Sequence, residues 1–457
     1  MNEKNLMSQL SMQIINTVEE KIKHQRHILV GFSGGLDSTV LLHCLYQLRE
    51  QRYPDLQIRA LHIHHGLNPK ADYWVQHCEQ ICLEWKIPFI CRRVEVDASK
   101  KGVEAAAREA RYQAYRAVIY PNEVMVTAQH LDDQAETFML ALKRGSGPAG
   151  LSAMPESMPF MTHVDVESGE KINSLLLRPL LTLSRSQLDH YAQQFTLCWI
   201  EDDSNQDDRY DRNFLRLHVM PILNQRWPHF ANAAARSAAL CAEQESLLDE
   251  LLTSALQEAL DYQGGLSIEV LQTCSAEKRN ALIRRWFGYH NLTMPGYHQL
   301  QRIWQEVALA RQDAEPIFQF GSYDIRRYQG YLWLVRRMKS LVNQQFTWDY
   351  PAPHILPNSL GCLVVMHGEG QIRPPATGEV VSIRFGLQQT INIVGREHSR
   401  HSKKIWQELG VAPWMRERTP LIYYNEQLIT AVGCFVTRQG LVDEGKQGIA
   451  IHWDRND

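Results

Sequence analysis

The 457-residue sequence has no apolar run approaching the roughly 18–20 residues that a membrane-spanning helix needs, which excludes a helical membrane protein. It has no Cys-x-x-Cys pair. Its nine cysteines are an odd number without a disulfide framework, which predicts a reducing cytoplasm rather than secretion. The N-terminal segment lacks a signal-peptide core. Leu6, Leu10, Ile14, Val18 and Ile22 recur among charged residues, which predicts an amphipathic helix. No internal repeat and no low-complexity tract is present. Nor is there an excess of positive charge. With 48 Lys+Arg against 51 Asp+Glu the net charge is -3, which argues against a uniformly basic nucleic-acid binder. The sign is local, however. Residues 241–261 carry six acids and no Lys or Arg, whereas residues 396–418 carry six Lys/Arg against three Glu.

With 44% hydrophobic and 22% charged residues, the chain is that of an ordinary globular protein. Its length predicts two to four domains. Over the first 200 residues, strand-like and helix-like segments alternate. Strands are expected at His27–Phe32, Gln57–His64, Phe89–Val94, Glu123–Ala128 and Ser174–Leu177. Helices are expected at Asp37–Arg49, Asp72–Trp85, Val103–Ile119, on to Leu142, and after Ser184. This alternation predicts βαβ units and a parallel sheet covered on both faces. Near residue 215 the pattern changes to mostly helical, and from about 316 to short strands, with one helix near Lys403–Leu409. The reading is therefore an α/β parallel-sheet domain over 1–215, a mainly helical domain over 216–345 and a small α+β domain over 346–457.

The most informative segment is Ser33, Gly34, Gly35, Leu36, Asp37, Ser38, which follows the first strand and opens a helix. The glycines permit tight turns and close approach of a ligand. Amides at a helix start suit a phosphate. Asp37 beside a phosphate is repulsive unless Mg²⁺, which prefers carboxylate and phosphate oxygens, bridges the two. A GxxxxGK[ST] motif is absent. The bland alternative is a capped turn.

Three further segments accompany this loop. His62–Asn68 ends the second strand, where open α/β sheets hold ligands, so His64 and His65 are candidates to lie near a nucleotide. Arg108 and Arg111 share a helix face, with a solvated ion-paired face as the alternative. His130–Thr137 (HLDDQAET) crowds Asp132, Asp133 and Glu136 at a helix start. That is more acid than capping requires, and an ammonium or a metal would use the surplus.

The SGGLDS loop resembles that of the PP-loop N-type ATP pyrophosphatases. The further segments VEAAAREARY, HLDDQAET, KRGSGPAGL, Arg178–Leu180 and DDSNQDDRYDRN, with RHSKKIWQELGVAPWMRER near the C-terminus, resemble the tRNA(Ile)-lysidine synthetases. That resemblance implies an ATP-dependent ligase of the cytoplasm. Its substrates would be ATP, free L-lysine and the wobble cytidine of isoleucine tRNA with a CAU anticodon. It also implies roles. Ser33–Ser38 would bind ATP, and Asp37 would hold Mg²⁺. Arg111 and Arg212 would clamp phosphate or the adenylated base. Asp133 and Glu136 would bind lysine or assist proton removal. Asp132 instead caps the helix in one reading, and Arg178 contacts either RNA or protein. Lys278, Arg279, Arg284 and Arg285, and Arg400, Lys403 and Lys404 ahead of Trp406 and Trp414, are candidates for tRNA contact, with solvated charged faces as the alternative. The rival readings are a PP-loop tRNA thiolase, disfavoured because Cys78 and Cys82 are spaced as a core pair, and a tRNA-binding or nucleotide-sensing protein without catalysis.

Overall fold

A computed structural model of the chain describes residues 3–66, 68–95, 103–164, 171–311 and 314–455. It divides into two compact units at Glu250/Leu251. No described helix is long and apolar enough to cross a membrane.

In the first unit the elements run α1 (Glu3–Ile22), β1 (His27–Gly31), α2 (Leu36–Gln51), β2 (Gln57–His64), α3 (Ala71–Glu84), β3 (Phe89–Arg93), α4 (Val103–Val118) and β4 (Val124–Val126). They continue with α5 (Leu131–Lys143), α6 (Pro148–Leu151), β5 (Ser157–Val164), β6 (Lys171–Leu177) and α7 (Arg185–Gln194). One six-stranded sheet forms in the order β3-β2-β1-β4-β6-β5. All pairs are parallel except β5 with β6.

The central strand shows why the runs are continuously apolar. Ile28 and Val30 of β1 point into one core with Ile14, Val18, Leu41 and Leu45. Leu29 points into a second core on the opposite face with Leu61, Tyr115 and Met125. Both faces are thus buried, as in a parallel sheet sandwiched by helices. Strand order reverses between β1 and its neighbours β2 and β4. The chain leaving β1 and the chain leaving β4 therefore open onto a shared crevice at the strands' carboxyl ends.

The second unit holds two further groups of structure. Around Trp286, Phe287 and Trp304, helices Ile268–Thr273, Ala276–Tyr289 and Tyr297–Arg302 pack on a four-stranded sheet. From Leu341 onward, five-stranded and three-stranded sheets enclose two apolar cores, centred on Leu363 and Ile422 and on Ile405 and Trp406. The helix expected near Lys403–Leu409 is Ser402–Glu408.

Candidate functional site

Phe32 N–H still pairs with Leu61 O at 2.9 Å, and the chain then turns through Gly34 with φ +82°. A Cβ there would stand 2.7 Å from Cys78 Sγ and 2.9 Å from Ile200 Cδ1, so only glycine fits the turn. Ile200 N–H donates to Gly34 O at 2.9 Å and fastens the loop from outside. Gly35 takes the N-cap of α2 without a side-chain cap, which leaves the helix start suited to an anion. Ser33 Oγ lies 3.0 Å from Ser38 Oγ. Leu36 is buried in the core, so its contribution to the loop is main chain alone.

Asp37, in the first turn of α2, sits where the two crevice-facing loops meet. Arg185 Nη1 donates to its Oδ2 at 2.5 Å. His130 Nε2 is 3.8 Å from its Oδ1, which is buried and has no hydrogen-bond partner among the described residues. Burial raises the Asp37 pKa against the lowering by His130 and Arg185. An orphaned carboxylate oxygen beside a phosphate-type loop fits a magnesium ion. Among the described residues no three His, Cys, Asp or Glu groups converge on a metal site. Mg²⁺ is commonly held by one or two carboxylates with substrate phosphates supplying the rest.

His130 caps α5. Its Nδ1 accepts from Asp132 N–H at 3.2 Å, and its own N–H donates to Asp133 Oδ2 at 3.1 Å. In the neutral ring, with Nδ1 accepting, the proton belongs on Nε2, which faces Asp133 Oδ2 at 3.4 Å; in the protonated ring Nδ1–H faces Asp132 Oδ2 at 3.5 Å instead. Asp132 Oδ2 accepts from the backbone of Arg185 at 2.7 Å, so it joins the starts of α5 and α7. Gln134 exchanges two hydrogen bonds with Met154, which secures the loop after α6.

Asp133 and Glu136 are brought together, and two arginines meet them. Arg216 Nε donates to Glu136 Oε1 at 2.8 Å, and its Nη2 donates to Glu136 Oε2 at 2.9 Å and Asp133 Oδ1 at 3.0 Å. Arg212 Nη1 lies 3.9 Å from Asp133 Oδ1 and 4.0 Å from Glu136 Oε2, and its Nη2 donates to Thr137 Oγ1. Glu136 is 1% exposed, and burial raises its pKa against the pull of Arg216. Packing of Leu131 and Ala135 of α5 against Met220 holds the arginine-bearing helix in place. Asn213 ties the preceding loop through Ser204 O and Asp207 O, both at 2.9 Å. Residues 215–219 form a π-helical turn ahead of Pro221, which has no N–H to return to the preceding turn.

Arg216 and Arg185 were outside the sequence expectation. The signal for the first was present in the four-residue spacing of Arg212 and Arg216, which puts both on one helix face. Nothing local marks Arg185 except its place after the cap residue Ser184.

Arg111 is half-buried on α4, and its charge falls on His65. Burial, helped by Arg111, lowers the His65 pKa to about 4, so this imidazole is neutral at physiological pH. His62 Nδ1 is 3.0 Å from Phe32 O, and His64 Nε2 is 3.3 Å from Asp72 Oδ1. Arg108 stacks over Tyr112 at 4.8 Å. Arg178 is 2% exposed and donates to Pro155 O, which makes it a contact within the protein.

The basic residues considered for RNA separate by environment. On Ala276–Tyr289, Lys278 is exposed, Arg279 lies over Trp304 at 4.1 Å, and Arg284 and Arg285 are half-buried. Lys403 and Lys404 are exposed on Ser402–Glu408, while Arg400 pairs with Glu408. Trp406 is 2% exposed and belongs to the core, so it has no face for a base. Trp414 packs against Tyr328 and Trp333 at 5.8 and 6.3 Å between ring centres.

Comparison with known proteins gives the family. Residues 6–223 match the PP-loop domain family, residues 266–333 the TilS substrate binding domain and residues 381–453 the TilS substrate C-terminal domain. The tRNA(Ile)-lysidine synthase of Photorhabdus laumondii subsp. laumondii is 56% identical, with 98% of this chain and 99% of that protein covered. The chain belongs to the tRNA(Ile)-lysidine synthase family. The lysidine synthase of Proteus mirabilis is likewise 56% identical over 96% of this chain and 98% of its own, and that of Yersinia pestis is 53% identical over 99% of each. In the lysidine synthase frame, the PP-loop match contains the Ser33–Ser38 loop, Asp133, Glu136, Arg212 and Arg216. The two substrate-domain matches contain Lys278–Arg285 and Arg400–Lys404.

Proposed function

We propose that this chain is an ATP-dependent ligase that converts the wobble cytidine of isoleucine tRNA with a CAU anticodon to lysidine. The observation that carries the reading is the meeting of Asp37, at the SGGLDS loop, with His130 and Asp133 of the second acidic motif. A helix start suited to a phosphate thus adjoins a buried acidic cluster. One suits ATP, and the other suits an amine.

ATP lies along Ser33–Ser38, with Asp37 holding Mg²⁺. When bound, the ion supplies charge that offsets the charge building on pyrophosphate. The cytidine O2 attacks the α-phosphorus, pyrophosphate leaves, and C2 becomes electrophilic. The ε-amine of lysine then attacks C2, and the C2–O bond breaks to release AMP. Free lysine is mostly protonated at neutral pH, so the site must accept a proton before attack. Asp133 and Glu136 orient lysine or take that proton. Arg216 bridges the two carboxylates and sets their orientation toward the lysine ammonium. Arg111 and Arg212 clamp phosphate or the adenylated base, since a guanidinium offers several fixed donors. A catalytic region over 1–215, a helical substrate-binding region over 216–345 and a tRNA-binding region over 346–457 divide these tasks.

The test incubates the full chain with ATP, Mg²⁺, labelled lysine and unmodified isoleucine tRNA, with an altered-anticodon tRNA as control. Lysine enters only the CAU tRNA. Asp37→Ala and Arg111→Ala each lower incorporation by about 10²-fold or more, a loss typical of removing a charge-stabilising group. Near-wild-type incorporation by either variant removes the role given to that residue.

A further inference from the structure

Asp37 poses a charge problem that Arg185 solves in a specific way. A carboxylate in the first turn of α2 faces the place where the triphosphate would lie, and like charges repel. In the structure its negative charge is met by the Arg185 guanidinium at 2.5 Å from Oδ2. The root of Arg185 is fixed. It is the first residue of α7, directly after the cap Ser184, and its N–H donates to Asp132 Oδ2 at 2.7 Å. Leu131 N–H donates to Leu183 O at 2.9 Å, so the starts of α5 and α7 are tied by backbone as well. The head of Arg185 is not fixed in the same way. Its side chain is 47% exposed, against 25% for Asp37. A rigid root with a solvent-reaching guanidinium beside a phosphate loop is the arrangement of an anion-binding arm.

On the adenylation reading above, Asp37 would hold a cation once ATP is bound, and the guanidinium on its Oδ2 would then be free to meet the nucleotide's phosphates. We propose that Arg185 is a further catalytic residue, which neutralises Asp37 in the nucleotide-free enzyme and moves onto the β- and γ-phosphates when ATP binds. In the adenylation step the cytidine O2–Pα bond forms as the bond from Pα to the bridging oxygen breaks. The electron pair stays on the β-phosphate, and no proton is taken up. Arg185 stabilises that growing charge by paired N–H donation, which a guanidinium can give to two phosphate oxygens at once.

The experiment is calorimetric titration of the full chain with ATP, pyrophosphate and AMP, each with Mg²⁺, together with single-turnover release of pyrophosphate. Arg185→Ala weakens ATP and pyrophosphate about tenfold or more, the loss expected for one charge-assisted pair, and slows pyrophosphate release. It leaves AMP binding within about twofold, which also reports that the loop is intact. Arg185→Lys recovers part of the loss. The effect persists in an Asp37→Asn background, because the partner in the complex is phosphate. Equal losses for ATP and AMP, no loss at all, or a loss that vanishes in the Asp37→Asn background would each overturn the proposal; the last would make Arg185 only a counter-ion to Asp37. If the wild-type chain binds ATP no better than AMP, the adenylation reading falls together with it. If wild type prefers ATP and Arg185→Ala does too, only the Arg185 assignment falls.

Discussion

One imidazole ring links the two halves of the site. His130 closes the start of α5 through Nδ1 and turns Nε2 toward Asp133 and Asp37. Burial alone would lower its pKa, but Asp132, Asp133 and Asp37 together outweigh burial and raise it above the ordinary 6.5. The folded state therefore holds this proton more tightly than the unfolded chain. The stabilisation is complete below about pH 6.5 and is lost as pH rises through the higher folded pKa. His130→Asn supplies a good cap acceptor and removes the titrating charge. Its stability deficit relative to wild type is expected to be largest near pH 6 and to shrink toward pH 9, as read by thermal midpoints across pH. A constant deficit would show that the ring is neutral in the folded protein. At this scale the acids were legible in the sequence, because Asp132, Asp133 and Glu136 cluster within one and a half turns. Their counter-ions were not. Arg216 lies 80 residues from Glu136 and Arg185 lies 148 from Asp37, so only the folded chain pairs them.

Among the elements, those defined by continuous apolar runs follow their sequence signal closely. β1 covers His27–Gly31 within the expected His27–Phe32, since Ile28, Leu29 and Val30 are buried on its two faces. β5 was not expected. Its Pro159 cannot donate to a ladder, and the pairing with β6 shifts register between Pro159 and Met161, which is tolerable only on an edge strand. The four-stranded sheet of the middle region was also partly hidden. Its strand Leu266–Ser267 is two residues long and forms only by pairing with Tyr331 and Leu332. The loop between β1 and α2 makes the sharpest demand on residue type. Gly34→Ala must adopt a positive φ and push its methyl against Cys78 Sγ and Ile200 Cδ1. Backbone strain of this kind costs about 1–3 kcal/mol. The variant is expected to lose several degrees in thermal midpoint and more than tenfold in ATP affinity, as followed by nucleotide titration. Unchanged ATP binding would mean that the loop's exact turn is not what holds the phosphates.

The whole molecule explains why a net charge of -3 was a poor guide. Several basic groups in the positive segment are already paired, Arg396 and Arg400 both with Glu408. The exposed lysines 403 and 404 remain for a polyanion. Charge that attracts RNA is a property of surfaces, and a chain total averages it with acids in the helix that runs through residues 230–259. Binding of isoleucine tRNA is therefore expected to weaken as salt rises, and Lys403→Ala with Lys404→Ala is expected to lower the slope of log K against log salt by about one per lysine. Leu341 shares the core of Trp348, Leu363 and Ile422, so a chain ended just before it removes that core whole rather than splitting it. The Gly34–Asp37 loop and both its supporting cores lie within the first unit. Such a truncated chain is expected to keep ATP affinity within about twofold, and to lose the larger part of its tRNA affinity as phosphate contacts go. Filter binding with the tRNA and calorimetry with ATP read the two outcomes separately. Full tRNA affinity in the truncated chain would move the recognition surface onto Lys278–Arg285 and the catalytic unit.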